Sequence, residues 1–158
     1  MKKELRLRGI IPATVLPLTS SFQIDEDSLK EYIKWLIRSR IGGLAINVDT
    51  GEGSHLYREE KIRILKIVKN VAGDSVPLIG GLQANFTSQA VEAARETKEA
   101  GADAVLAFPI GAFYGSPLPP EIPYAYHKAI ASEAQVPIVL FQLQKDLGGV
   151  EYIADCLA

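Results

Sequence analysis

Gly42-Gly43-Leu44-Ala45-Ile46-Asn47-Val48-Asp49-Thr50-Gly51-Glu52-Gly53-Ser54 is the stretch on which the reading of the fold turns. Leu44 to Val48 is a short, mainly apolar strand, and a polar loop with two glycines leaves its carboxyl end. After the loop, Ile62, Leu65, Ile67 and Val68 recur at helical spacing until Gly73-Asp74 stops them. Strand, loop and helix make one βα unit, and the unit repeats on both sides. Downstream, Val76-Pro77-Leu78-Ile79-Gly80 precedes a helix over 87–100 for which Asn85, Thr87 and Ser88 offer capping side chains. Ala104-Val105-Leu106-Ala107-Phe108-Pro109 precedes a helix over 122–134, and Val136-Pro137-Ile138-Val139-Leu140-Phe141-Gln142 precedes one that begins in 150–158. Upstream, the run from Gly9 to Pro17 reads as a strand start or bulge, because Pro12 has no amide proton for a ladder. Its helix carries Leu29, Ile33, Leu36 and Ile37, opens on Asp25-Glu26-Asp27 near the positive end of the dipole, and closes at Gly42-Gly43. Five such alternations predict an α/β fold with a parallel sheet.

Composition bounds what that sheet does. The chain has 158 residues, 47% of them hydrophobic and 23% charged, with 17 Lys+Arg against 19 Asp+Glu and a net charge of -2. A core can be built, and the near balance of charge argues against a nucleic-acid partner or an anionic-membrane anchor. A lone cysteine, Cys156, excludes an intrachain disulfide framework and a multi-cysteine metal site, and no cofactor motif is present. The beginning, Met1-Lys2-Lys3-Glu4-Leu5-Arg6, lacks the apolar stretch of a signal peptide or membrane span, so a cytoplasmic location is expected. No linker or low-complexity tract divides residues 1–158, which are read as one domain. A complete eight-stranded barrel needs ~200 residues or more, whereas five βα units could close as an open doubly wound, flavodoxin-like sheet.

Both architectures place a ligand at the carboxyl ends of the strands, where the 49–54 and 110–120 loops fall. The first loop suits a carboxylate or phosphate, since its glycines let backbone approach a ligand; it is neither a Walker loop nor a dinucleotide fingerprint. Capping by Thr50 or Ser54 is the competing reading of the same residues. The second loop carries Phe113 and Tyr114 and is longer than a minimal connection. His55 and His127 stand apart from any metal-ligand spacing and are read as a loop residue and a helix-face residue. Glu52 is expected to brace the amides of the following helix, and Lys145 to be a solvated surface lysine.

Taken in order, these pieces resemble the dihydrodipicolinate synthase / N-acetylneuraminate lyase family of class I aldolases, which are TIM barrels. The run from Gly9 to Thr19 is similar to the family's first strand. Gly42 to Glu52, followed by Leu56 and Glu59-Glu60-Lys61, is similar to its glycine-threonine-glycine-glutamate signature. Val76 to Gly81 with Asn85 and Thr87, Ala100 to Val105 with Pro109, and Val136 to Phe141 continue the match. The resemblance implies the first five βα units of a (β/α)8 barrel, and a lyase chemistry in which a lysine forms a Schiff base with a 2-keto acid. That lysine belongs to the family's sixth strand, which would follow the last residue of this sequence.

Site residues carried over by the resemblance depart from the family in instructive ways. Asp49 and Thr50 stand where the family commonly has two threonines that hold the substrate carboxylate, with Gly51 next to them, and a carboxylate at Asp49 would repel a keto acid. Phe141 occupies the position of a tyrosine and lacks the hydroxyl that would relay a proton. Phe141-Gln142-Leu143-Gln144 stands where the family has tyrosine-asparagine-valine-proline, and Lys145-Asp146 lies where an arginine would follow. Tyr114 corresponds to a loop tyrosine that the family lends to a neighbouring subunit. The expectation is therefore a 2-keto-acid lyase family member, inactive as these 158 residues alone, that associates with another copy or with a carboxyl-terminal half. A non-enzymatic βα fragment and a flavodoxin-like binding module are the alternatives.

Overall fold

Four of the five apolar runs become strands of one parallel sheet, with a helix after each. In the computed structural model, which describes residues 5–114, 118–147 and 149–157, the order is α1 (Glu26–Arg38), β1 (Leu44–Ile46), α2 (Arg58–Ala72), β2 (Leu78–Leu82), α3 (Thr87–Glu99), β3 (Ala104–Ala107), α4 (Glu121–Ala134), β4 (Ile138–Leu140) and a short α5 (Ala154–Leu157). The strands lie side by side as β1-β2-β3-β4, all parallel. Sequential order without a switch point is how a barrel wall is wound, and this corrects the flavodoxin-like alternative.

The first run, 9–17, is not a strand. It meets β1 through one parallel bridge, Ala13 to Ala45, in which Ala45 N donates to Pro12 O and Thr14 N to Ala45 O, each at 3.0 Å. Pro12 and Pro17 have no amide proton to extend the ladder, so the segment keeps a strand's place beside β1 without its regular pairing. Other boundaries move as well. α1 stops at Arg38, where Ser39 N returns to Leu36 O, and Arg40 then adopts φ 54°, so Gly42-Gly43 lie in the connecting loop. β2 starts at Leu78 and runs on to Leu82, and β4 keeps only three residues of the run from Val136 to Gln142.

Helix ends are satisfied in two ways. Asp25 caps α1 by accepting from Ser28 N at 3.0 Å and Ser28 Oγ at 2.7 Å, bonds that hold its carboxyl below the ordinary value. α3 lacks the expected side-chain cap; Phe86 stands at its N-cap, and Gln89 Oε1 accepts from Asn85 N at 2.8 Å instead.

Alternation along the strands separates two apolar layers. Leu44, Ile46 and Leu78 face the helices and pack with Leu29, Ile33, Leu65 and Val68, while Val105 and Ala107 join Ala90, Ala94, Ile130 and Ala134. The opposite face gathers Ala45, Val48 and Phe108 with Ile11, Leu106 and Phe141. Full burial of such a side chain contributes ~1.5–3 kcal/mol, which makes the helix layer the main source of stability. The inner layer is thinner, and β4 is half-buried along its whole length.

Candidate functional site

β1 ends because Asn47 turns into the left-handed region, φ 58°, where asparagine is tolerated better than most residues. Its side chain is buried: Nδ2 donates to Lys61 O at 3.0 Å, and Oδ1 has no hydrogen-bond partner. Gln83 Nε2 donates to the Asn47 carbonyl at 3.2 Å and Gln83 Oε1 accepts from Lys61 Nζ at 3.3 Å. Half-burial lowers the Lys61 ammonium below its ordinary value. Gly81 belongs to the same junction, since a β-carbon there would stand 2.2 Å from the Asn47 carbonyl oxygen.

Residues Asp49–Gly51 form a single 3-10 turn. Gly51 N and Gly53 N both donate to Val48 O, at 2.9 and 3.0 Å, and Glu52 N donates to Asp49 O at 3.1 Å. The glycine amides are thus taken up inside the turn, so the part Gly51 plays is steric. It is buried, and a β-carbon on it would lie 3.0 Å from the Thr14 carbonyl oxygen. Thr50 Oγ1 donates to that same carbonyl at 3.1 Å, while Thr14 Oγ1 donates to Ala45 O at 3.2 Å. Two threonines stitch the first segment to the end of β1. Asp49 and Thr50 remain exposed beside this stitch.

Phe141 follows β4 directly, with its N–H donated to Ala107 O at 3.1 Å and its ring 4.5 Å from that of Phe108 between centroids. Both rings belong to the apolar cluster that contains Val48, the residue before the 3-10 turn. The structure therefore brings Asp49, Thr50, Gly51 and Phe141 to one end of the sheet, around that cluster. In the 110–120 loop it is Phe113 that is buried, edge-on to Tyr126 at 5.4 Å, while Tyr114 is 50% exposed. Gly115, Ser116 and Pro117 lie outside the described residues. Lys145 is exposed on a separate 3-10 turn, Lys145–Leu147.

Glu52 does not brace α2. Its Oε2 pairs with His55 Nδ1 at 2.8 Å, both side chains being largely solvated, and Glu60 Oε2 takes the Tyr57 N–H at 2.8 Å in its place. His127 is a buried member of α4: Nδ1 donates to Pro123 O at 2.7 Å, and burial lowers its pKa, opposed by that bond. Among the described residues no cluster of His, Cys, Asp or Glu could hold a metal ion, and no helix is long and apolar enough to cross a membrane. Sequence reading passed over Phe108, Asn47 and Gln83. The alternation from Leu106 to Phe108 and from Val139 to Phe141 was the available signal for the ring pair; nothing local marks Asn47 or Gln83.

Residues 6–151 match the profile of the Dihydrodipicolinate synthetase family. A 4-hydroxy-tetrahydrodipicolinate synthase from Bdellovibrio bacteriovorus is 35% identical over 136 residues, which cover 86% of this chain and 45% of that protein. Among solved structures, the chloride-inhibited dihydrodipicolinate synthase from Acinetobacter baumannii in complex with pyruvate superposes with a TM-score of 0.82 at 30% identity, over 92% of this chain and 48% of that one. An N-acetylneuraminate lyase from Mycoplasma synoviae superposes with a TM-score of 0.73 at 25% identity, over 87% and 46% of the two chains. The chain spans about half the length of the curated relatives it matches.

Proposed function

The chain belongs to the Dihydrodipicolinate synthetase family, and from that premise we propose that it builds one wall of a cytoplasmic lyase site for a 2-keto acid. The observation that carries this reading is Thr50, held on the Thr14 carbonyl two residues after Val48, which clusters with Phe108 and Phe141 at the inner mouth of the sheet. A 2-keto acid needs a grip on its carboxylate and an amine that condenses with its carbonyl carbon, expelling water to leave an iminium electron sink. Thr50 supplies the first: its hydroxyl hydrogen turns from the Thr14 carbonyl toward a carboxylate oxygen when one arrives. The family resemblance puts the amine on a lysine of a sixth strand, which is not one of the four described strands. Tyr114, exposed on its loop, is available to a site shared with a second copy. Phe141 has no hydroxyl to carry a proton, and Asp49 adds negative charge at the rim, so the reaction differs from that of the synthases named above.

Barrel completion supplies the partner. The free edge of β4 and the half-covered inner face are closed by a carboxyl-terminal half or, in its absence, by another copy.

Two measurements test the reading. Pyruvate titrated into the isotopically labelled chain should shift the backbone resonances of residues 49–51, and Thr50→Val should abolish the shift where Thr50→Ser retains it; unmoved resonances in the parent chain overturn the carboxylate grip. Borohydride trapping with pyruvate should leave the chain without an adduct, and a stable adduct mapped to Lys145 refutes the assignment of the amine to another segment.

A further inference from the structure

We propose that the substrate presents an apolar group, an aromatic ring or a branched aliphatic chain, to the end of β4, and not a second carboxylate. This deepens the 2-keto-acid reading and rests on it. Phe141 and Phe108 stand at the carboxyl ends of neighbouring strands with ring centroids 4.5 Å apart and planes tilted by 35°. Beneath and beside them are Val48, Leu106 and Ile11. Phe108 is 8% exposed and serves as the fixed base of this floor, whereas Phe141 is only half-buried.

Charge points the same way. A carboxylate brought onto this floor loses its hydration without gaining a donor. Lys145, the nearest cation in sequence after Phe141, lies solvated on the 3-10 turn beyond it. An apolar group on the carbon next to the keto group avoids that penalty and gains contact with the half-buried Phe141 ring, backed by Phe108. Burying a ring against ring and aliphatic surface corresponds to ~10-fold or more in affinity.

The experiment measures binding of four probes to the 158-residue chain by calorimetry and by side-chain resonances: pyruvate, phenylpyruvate, oxaloacetate and 3-phenylpropanoate, the last having a ring but no keto group. The expected result is phenylpyruvate at least tenfold tighter than oxaloacetate and pyruvate, with shifts at the Phe108 and Phe141 rings. Phe141→Leu should keep much of that preference and Phe141→Ala remove it. Oxaloacetate equal to or tighter than phenylpyruvate overturns the inference, as does pyruvate binding while phenylpyruvate is rejected; in that second case the 2-keto-acid reading survives alone. Should 3-phenylpropanoate bind as well as phenylpyruvate, the apolar floor stands and the keto-acid reading falls. No binding of any probe at millimolar concentration overturns both. Selectivity of the unsubstituted chain decides the matter even if a Phe141 variant fails to fold.

Discussion

Thr14, Thr50 and Gly51 show how single atoms position this site. The Thr14 carbonyl accepts the Thr50 hydroxyl at 3.1 Å and lies 3.0 Å from where a β-carbon on Gly51 would stand. Gly51→Ala places a methyl 3.0 Å from that oxygen, and the backbone on one side must yield. The expected loss is ~1–3 kcal/mol of unfolding free energy, as for other overpacked positions, read as a lower urea midpoint. Thr50→Val removes one hydrogen bond at nearly constant volume and should cost ~1 kcal/mol, with Thr50→Ser close to the parent. From the loop alone Thr50 could be read either as a capping residue or as a ligand-binding one. The reason for Gly51 was not legible there, because the group it accommodates belongs to a segment far away in sequence, and its own amide turns out to be bonded within the turn.

Between elements, the packing of α4 against the residues around α5 depends on a neutral imidazole. Nδ1 of His127 must carry the proton it donates to Pro123 O, which leaves Nε2 as the acceptor facing the Tyr152 hydroxyl at 3.5 Å. Tyr126 and Tyr152 flank the ring edge-on. Burial lowers the His127 pKa in the folded chain, so the unfolded chain binds this proton more readily. Its contribution to stability is present above the ordinary imidazole value of ~6.5 and is lost as pH falls through the lowered folded value, with a slope of at most ~1.4 kcal/mol per pH unit. Urea melts at successive pH values should show this slope in the parent and its absence in His127→Asn; equal slopes would refute the assignment. Tyr126 acts at the other extreme. Burial pushes its phenol up to about 12, so that stability falls as pH climbs from its ordinary value of ~10 toward that one. Helical spacing made α4 readable, whereas the surroundings of His127 depend on Tyr152 arriving from a separate segment.

At the scale of the molecule, a parallel wall of four strands and a bridged segment is open on both edges. β4 offers the backbone of Ile138–Leu140 along its outer side, and its residues are half-buried where those of β2 are wholly buried. Leaving several inner residues wet forfeits ~1.5–3 kcal/mol each against the ~5–15 kcal/mol that holds a domain together. Association is therefore expected: sedimentation at low micromolar concentration should give a species larger than one chain, or an apolar face that binds dye when held monomeric. A compact, cooperatively folding monomer without such a face would sink this prediction. Ion pairs such as Arg58 with Glu96 and Arg63 with Glu26 join neighbouring helices and add little, because their arginines are exposed to solvent screening.

Sequence by itself determined the alternation of strands and helices and their parallel winding, because these follow from local periodicity, glycine and proline chemistry and chain order. It also carried the family, through motifs met in the same succession. Tertiary structure decided that the first run is a bridged segment with two prolines and not a full strand. It decided too that the glycine amides of the 49–53 loop close the turn on itself, and that Phe108 meets Phe141 at the mouth. Each of these depends on a contact between distant segments, and such contacts leave no mark on the local pattern of either partner.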